Sequence, residues 1–244
     1  MTAVPQSIAV DSLPIYFIFL KKDRNKTHDA QNWRYVQRNK HFGGEVRFSS
    51  HRSDLLIFGS GKVRHMIFLT EANEKYTDEL EKFKNEVLIR DRDHADQFAG
   101  CMGLRECGSA KEWIALCDLR KRAETCEQAG TTVPSTTYFA ILESDGRLVG
   151  VIDLRHHIDH PILGTWGGHC GYTVRPSERG KGYAKEMLRL NIQNAKRMGI
   201  PKLLVVCDET NAASEKTILA NGGVFENSID INGCRMKRYR IGTD

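Results

Sequence analysis

Residues 171 to 184 read GYTVRPSERGKGYA, and this stretch decides the fold of the chain. A predicted strand ends at Val174, Pro176 cannot continue a ladder of hydrogen bonds, and Gly180 and Gly182 form a turn that opens into a helix. Glycine lets a backbone approach a ligand closely, and the first N–H groups of a helix carry partial positive charge. The stretch therefore predicts an anion-binding turn. The turn lacks the Lys-Ser/Thr ending of a P-loop and the third glycine of a dinucleotide-binding fingerprint.

Strands and helices alternate on both sides of this turn from Met66 onward. Ser109 is a predicted helix N-cap, and Ser144-Asp145-Gly146 and Asn232-Gly233 are hairpin turn signals. The predicted strands cover residues 66–70, 136–142, 148–154, 170–174 and 203–207, and the predicted helices cover residues 70–91, 111–128, 180–197 and 212–220, before a final hairpin. This order predicts an α/β fold with a mostly antiparallel sheet and one parallel crossover.

The same turn carries a resemblance to a known family. Arg179-Gly-Lys-Gly182-Tyr-Ala184 resembles the R/Q-x-x-G-x-G/A signature of the GNAT superfamily of acyl-CoA-dependent N-acetyltransferases. Asn211-x-x-Ser214, followed by Asn-Gly-Gly at 221–223, is similar to a later conserved region of that superfamily. The resemblance is specific over residues 134–241, looser back to Met66, and strongest to bacterial predicted acetyltransferases without an assigned substrate. It implies a GNAT fold: a mixed, mostly antiparallel, twisted sheet of about seven strands flanked by helices.

The resemblance also implies where acetyl-CoA, the acyl donor, would bind. The strand end at Tyr172 and Val174 would pair with the pantetheine arm, and Asn211 would help to hold the cofactor from the fourth helix. We identify the Val174 N–H as the candidate group for polarising the thioester carbonyl. The pyrophosphate would lie on the backbone amides of Arg179, Gly180, Lys181, Gly182, Tyr183 and Ala184.

Two side chains that serve proton transfer in the superfamily are missing. The position of a glutamate base is occupied by Gly168, and the position of a tyrosine acid by Ile218. We identify Ser214 as the candidate acid, with a simple helix-face hydroxyl as the alternative. His169 is the candidate base, with a histidine bonded to backbone as the alternative. Cys207 lies on an apolar strand and is interpreted as core rather than as a nucleophile.

Asp153, Arg155 and His156 end the neighbouring predicted strand and are candidates to bind the acceptor substrate, with a plain salt bridge as the alternative. The acidic predicted helix 70–91 would suit a cationic acceptor if it borders the groove. His156, His157, His160 and His169 could suggest a metal site, but the first three lie in one predicted loop and not on a helix, so we expect no metal site. The seven cysteines form no C-x-x-C pair, which indicates neither a disulfide framework nor a zinc site.

The net charge of +5 divides unevenly along the chain. Residues 1–65 hold 11 Lys and Arg against 5 Asp and Glu, whereas residues 66–244 hold 25 against 26. We interpret residues 1–65 as a weakly ordered segment or a β-like appendage, and residues 66–244 as the acetyltransferase domain. One hypothesis is that Met66 is the biological start. The competing hypothesis is a basic arm that touches nucleic acid or a partner.

The composition is 40% hydrophobic and 27% charged, which excludes collagen-like, disordered and disulfide-scaffold classes. Because no apolar run approaches the roughly 20 residues of a membrane span, we expect a cytoplasmic protein. The sequence predicts an enzyme that moves an acetyl group from acetyl-CoA directly to a primary amine of a small molecule. An aminoglycoside-like antibiotic or a peptide N-terminus stays open as the acceptor, as does a non-catalytic acyl-CoA-binding regulatory module. We expect no nucleic-acid or membrane partner, and a homodimer stays open.

Overall fold

A computed structural model describes residues 18–21, 34–38, 45–49, 56–58, 62–64, 66–92 and 97–244. The chain divides into two compact units, Met1–Arg64 and His65–Asp244. The first unit contains strands β1 (Ile18–Lys21), β2 (Arg34–Arg38), β3 (Glu45–Ser49), β4 (Leu56–Phe58) and β5 (Lys62–Arg64). β1, β2 and β3 form one antiparallel sheet, and β4 and β5 form another. The predictions about the order and the start site of residues 1–65 fall largely outside the described residues and stay predictions.

The second unit contains four α-helices and seven strands among its described residues. The helices are α1 (Thr77–Arg90), α2 (Ala110–Arg120), α3 (Tyr183–Arg197) and α4 (Ala212–Leu219). The strands are β6 (Ile67–Glu71), β7 (Ser135–Leu142), β8 (Leu148–Arg155), β9 (Tyr172–Val174), β10 (Lys202–Asp208), β11 (Val224–Ile231) and β12 (Cys234–Gly242). The expectation of about seven strands flanked by helices is confirmed.

The seven strands form two sheets. The first has the order β6-β7-β8-β9, and the second has the order β10-β12-β11. Every strand pair within these two sheets is antiparallel. The crossover from β9 through α3 to β10 therefore connects two sheets, where the sequence predicted a parallel crossover within one.

Helices cover both faces of the first sheet. Because successive side chains of a strand point to opposite faces, Phe139 packs with Phe83 and Trp113, whereas Ala140 packs with Met187 of α3. The Trp113 and Phe139 rings are stacked with centroids 6.4 Å apart. A third cluster joins α3 and α4 to β10 and β12. The apolar alternation of β7 thus fixes α1 and α2 on one face and α3 on the other.

The ends of several elements differ from the sequence expectations. The first helix begins at Thr77 rather than residue 70, because residues 67–71 pair with β7 and Asn73 caps a short 3-10 helix, Glu74–Tyr76. The second helix begins after its predicted N-cap, Ser109, but ends at Arg120. The Thr125 hydroxyl donates to the carbonyl of Leu119 at 2.6 Å and so satisfies an acceptor at the helix end.

A close backbone contact holds the segment before α2 against the start of β9. Gly100 has φ of 77°, and a Cβ added to it would overlap the carbonyl oxygen of Gly171. A Cβ on Gly171 would lie 2.6 Å from the Gly100 nitrogen. The Thr173 hydroxyl donates to the Ala99 carbonyl at 2.8 Å in the same region. Only glycine at both positions allows the two backbones to meet at this distance.

We expect Gly100→Ala to destabilise the protein by at least about 3 kcal/mol, because it combines left-handed backbone strain with a backbone overlap. Gly130→Ala is the matched control, since Gly130 has φ of 74° and nothing within 4 Å of an added Cβ. The control should lose only about 1–2 kcal/mol. Urea unfolding of the two variants measures the difference, and equal losses would contradict the role assigned to this contact.

Candidate active site

β9 and β10 are the edge strands of the two sheets, and they meet at one point. The backbone N–H of His169 donates to the Leu204 carbonyl at 2.8 Å. The backbone N–H of Leu204 donates to the ring nitrogen Nδ1 of His169, also at 2.8 Å. In the sheets as described, no ladder joins Tyr172–Val174 to β10. The two edges therefore touch at His169 and leave β9 unpaired on one side beyond it.

The backbone of β9 presents two N–H groups to this open edge. The Asp153 N–H donates to the Gly171 carbonyl, and the Arg175 N–H donates to the Val149 carbonyl. The backbone polar groups of the odd-numbered residues in and beside β9 therefore point towards β8. Hydrogen-bonded and non-hydrogen-bonded pairs alternate in an antiparallel ladder. The N–H groups of Tyr172 and Val174 therefore point away from β8. A ligand with amide groups could pair with them as an added strand does.

Gly171 breaks the ladder where the two edges separate. Its N–H donates to the carboxylate Oδ1 of Asp153 at 2.5 Å. The Asp153 carbonyl accepts instead from the Asn191 side chain of α3 at 3.0 Å. β9 therefore begins at Tyr172 rather than at the predicted residue 170.

The turn after β9 leaves a set of amide groups without partners. A 3-10 helix, Pro176–Glu178, precedes Gly180 and Gly182, whose φ angles are 78° and 91°. Within residues 66–92 and 97–244, nothing accepts a hydrogen bond from the N–H groups of residues 180–184. An added Cβ at either glycine would meet nothing within 4 Å. The start of α3 is thus an open set of N–H donors, as an anion site requires.

The charged side chains of the turn bind protein carboxylates. Arg179 pairs through Nη1 and Nη2 with the buried carboxylate of Asp91, at 2.8 Å for the Nη1–Oδ1 pair. Its Nε donates to the Val174 carbonyl at 3.2 Å. Glu178 is 3% exposed and accepts from Arg147 at 2.9 Å and from Lys181 at 2.7 Å. These bonds fix the turn in place and leave its backbone for a ligand.

Helix α1 supplies further carboxylates to the same region. Arg175 pairs with Glu79 at 3.1 Å and with Glu86 at 2.8 Å, and Glu86 also accepts from the Ser177 N–H at 2.6 Å. Burial opposes ionisation of Glu86, but the bonds from Arg175 and Ser177 leave its pKa below the ordinary value. Two of the acidic side chains expected to attract a cationic acceptor therefore hold Arg175 next to the turn instead.

Helix α4 brings one hydroxyl against β9. The Asn211 side chain caps the helix by accepting from the Ser214 N–H at 3.0 Å. The Ser214 hydroxyl lies 2.8 Å from the Tyr172 phenol oxygen, and both side chains are partly buried. Burial raises the pKa of Tyr172 above its ordinary value, which the bond to Ser214 partly offsets. Both residues are site candidates by sequence, but their contact was not predicted.

The structure shows what surrounds the two positions at which the superfamily side chains are missing. Gly168 has φ of 66°, and an added Cβ would lie 2.7 Å from the Leu204 carbonyl oxygen, so a glutamate does not fit there. Ile218 is fully buried in the cluster that joins α4 to β10. A Cβ added to Gly223 would overlap the Ile218 side chain, so the Gly-Gly pair lets the chain pass close to it.

His169 lies at the junction of the two sheets and is 5% exposed. Burial lowers its pKa to about 4, so its ring is neutral at pH 7 and accepts the Leu204 N–H. This geometry favours the backbone-bonded alternative considered for His169. Its role as a base stays a prediction.

The three candidate acceptor-binding residues have partners within the protein. Asp153 pairs with Arg155 at 3.0 Å, and Arg155 also donates to the Gly167 and Gly168 carbonyls at 2.6 and 3.0 Å. His156 Nε2 lies 2.9 Å from the Thr136 hydroxyl, and burial lowers its pKa. Asp153 and Arg155 brace the segment that leads into β9. Their assignment to the acceptor, and that of His156, stays a prediction.

The remaining candidates are a nucleophilic cysteine, a metal site and a membrane span. Cys207 is 4% exposed and lies in the core, as interpreted from the sequence. The described part of the chain contains no group of three or more His, Cys, Asp or Glu side chains that could hold a metal ion. None of the helices described is long and apolar enough to cross a membrane.

We expect the buried, neutral state of His169 to make stability fall in acid. Its folded pKa of about 4 lies below the ordinary 6.5, so the unfolded chain binds more protons as the pH falls below 6.5. Between pH 7 and pH 5 the free energy of unfolding of the wild type should fall by about 2 kcal/mol more than that of His169→Asn. The asparagine side chain keeps a hydrogen-bond acceptor but does not titrate. Urea unfolding at both pH values measures this, and parallel losses would contradict it.

Comparison with known proteins agrees with this geometry. The family model for the acetyltransferase (GNAT) domain matches residues 77–224. No curated protein matches the chain. RimL, a ribosomal L7/L12 α-N-protein acetyltransferase solved in complex with coenzyme A, is 18% identical with a TM-score of 0.51, over 73% of this chain and 96% of that one.

Two further solved structures have the same fold. The microcin C7 self-immunity acetyltransferase MccE, in complex with acetyl-CoA and AMP, is 19% identical with a TM-score of 0.51, over 72% of this chain and 92% of that one. Mycobacterium smegmatis RimJ, in complex with a CoA-disulfide, is 17% identical with a TM-score of 0.51, over 72% and 81%. Because the family model covers more than half of the sequence, the chain belongs to the GNAT acetyltransferase family, whose members are acetyl-CoA-dependent enzymes.

Proposed function

We propose that the protein transfers the acetyl group of acetyl-CoA directly to a primary amine of a small molecule. One observation carries this proposal: unpartnered N–H groups occur at two neighbouring places, the turn at residues 180–184 and the open edge of β9. Their order matches a ligand with an anionic end and an arm that contains amides. Acetyl-CoA has this chemistry.

The turn is the proposed site of the pyrophosphate. Its open amides and the N-terminal end of α3 together favour an anion, and these amides belong to Gly180, Lys181, Gly182, Tyr183 and Ala184. The Arg179 N–H, which was also expected to bind, already donates to the Pro176 carbonyl at 3.4 Å. The side chains of Arg179 and Lys181 already have carboxylate partners, so we assign binding to the backbone. The pantetheine arm would pair with Tyr172 and Val174. Asn211 contributes by fixing the start of α4, next to this arm.

Two groups of the protein are proposed to assist the chemistry once the donor is bound. The Val174 N–H, which points to the open edge, is the proposed donor to the thioester oxygen. The Ser214 hydroxyl is the proposed acid for the leaving thiolate. Direct transfer is favoured over an acetyl-enzyme because Cys207 is buried in the core. Positioning of the two substrates supplies much of the remaining rate.

The proposed acceptor enters as a neutral amine. A group with a pKa of about 4, such as His169, is a poor base for an alkylammonium, whose ordinary pKa is near 10. We therefore assign His169 the task of holding β9 and β10 together. Asp153 and Arg155 hold the segment before β9, and His156 is the remaining candidate of this group to meet the acceptor. The proposed cellular location is the cytoplasm.

Thiol release from acetyl-CoA tests the proposal. The wild-type protein is mixed with a panel of small primary amines, an aminoglycoside and a peptide with a free N-terminus. We expect turnover with at least one small amine and a rate that rises with pH towards the pKa of that amine. Peptide N-termini are included because RimL is described as an α-N-protein acetyltransferase. Turnover on the peptide alone would replace the acceptor class, and CoA binding without turnover on any amine would favour a regulatory module.

We expect Gly182→Ala to raise the KM for acetyl-CoA at least about tenfold, since a fixed anion contact to a backbone N–H is worth about 1.5 kcal/mol or more. Gly182 has φ of 91° at the start of α3, so alanine would distort the amides that face the ligand. Steady-state kinetics with varied acetyl-CoA measures the change.

Gly199→Ala is the matched control for this variant. Gly199 follows the other end of the same helix, has φ of 73°, and has nothing within 4 Å of an added Cβ. Both variants should lose similar stability, but the control should keep the wild-type KM. A normal KM in Gly182→Ala would contradict the proposed pyrophosphate site.

A further inference from the structure

The phenol of Tyr172, on β9, contacts a hydroxyl of helix α4. The superfamily position for a tyrosine acid is Ile218, which is fully buried. The phenol oxygen of Tyr172, on β9, lies 2.8 Å from the Ser214 hydroxyl on the same helix. Since residues 172 and 214 are far apart in sequence, the fold and not local sequence creates this pair.

Hydrogen bonds of the backbone hold both residues in place. Tyr172 lies opposite Ile152 in the ladder and directly follows Gly171, whose N–H is fixed by Asp153. Ser214 lies in the first turn of α4 and donates its N–H to the Asn211 cap. Both side chains are partly buried. The pair therefore links β9, the strand with the open edge, to the start of α4.

The acidity of the two groups differs greatly. A phenol has an ordinary pKa near 10, whereas an alkyl hydroxyl resembles water, near 15.7. Burial raises the pKa of Tyr172 above the ordinary value, but its phenol is still a stronger acid than the Ser214 hydroxyl. A serine alone is thus a weak acid for a thiolate. A serine that is hydrogen-bonded to a phenol can donate its own proton and accept the phenol proton in the same step.

We propose that Tyr172 is the source of the proton that the leaving thiolate receives through Ser214. The inference rests on the proposed function, because it assigns a partner to the acid of that reaction. Tyr172 acts through another group, so it is a positioning residue with a transferable proton. Burial keeps the phenol in its protonated form near neutral pH.

In the proposed step, one bond forms, one breaks and two protons move together. The amine nitrogen forms a bond to the acetyl carbon while the carbon–sulfur bond breaks, and the sulfur keeps the bonding electron pair. The Ser214 proton moves to the sulfur, and the Tyr172 proton moves to the Ser214 oxygen. The acylated nitrogen loses its extra proton to water, and the phenolate regains a proton from water after the products leave.

Tyr172→Phe and Ser214→Ala test the relay. Each should lower kcat by about 10²-fold, the usual contribution of general acid catalysis, while the KM for acetyl-CoA stays within about twofold. The double variant should be no slower than the slower single variant, because both changes interrupt one relay. The wild-type solvent deuterium isotope effect on kcat should fall towards 1 in Tyr172→Phe.

Tyr138→Phe is the matched control, because Tyr138 is a partly buried phenol on β7 with no place in the proposed mechanism. Its kcat should stay near that of the wild type. CoA affinity, measured by calorimetry, should be unchanged in Tyr172→Phe. A loss of CoA affinity without a change in kcat would assign the phenol to binding and overturn the proposal.

The outcomes separate this inference from the proposed function. Wild-type turnover with an unchanged kcat in Tyr172→Phe overturns the relay alone. If no amine is accepted, the slow hydrolysis of acetyl-CoA releases the same thiolate and gives the same test. Absence of any thiol release by the wild type overturns both proposals.

Discussion

The contact between His169 and Leu204 is the constraint on which the site depends. It is where the two sheets meet, and among the described residues no ladder joins the strand that follows, β9, to β10. The edge of β9 on that side therefore stays unpaired for the length of one short strand. A continuous sheet would use the N–H groups of Tyr172 and Val174 and would have no room for a ligand.

Ion pairs within the protein decide which groups of the turn are free to bind. Asp91 holds Arg179, Glu178 holds Lys181, and the carboxylates of α1 hold Arg175. Side chains that look like ligands in the sequence therefore serve as anchors, and the backbone remains as the anion site. A net charge of +5 says little about the acceptor, because the basic excess lies before residue 66 and the cations of the turn are paired.

Local chemistry made much of the fold predictable. The glycine turn, the Ser109 cap and the hairpin at Asn232-Gly233, where both φ angles are positive, follow from rules that act over a few residues. The contact between Tyr172 and Ser214 could not be predicted in this way, because it depends on how α4 packs against β9. The same holds for Asp91, which lies 88 residues before Arg179 in the sequence. The missing glutamate and tyrosine were visible in the sequence, but their steric reason was not.

Backbone amide shifts in the presence of desulfo-CoA test the central claim most directly, since this analogue carries the phosphates and the pantetheine arm but cannot react. Nuclear magnetic resonance of the labelled protein should show the largest shifts at the amides of residues 180–184, Tyr172 and Val174, with slowed hydrogen exchange at the same groups. Slowed exchange confined to residues outside β9 and the turn, or no binding at millimolar analogue, would contradict the account.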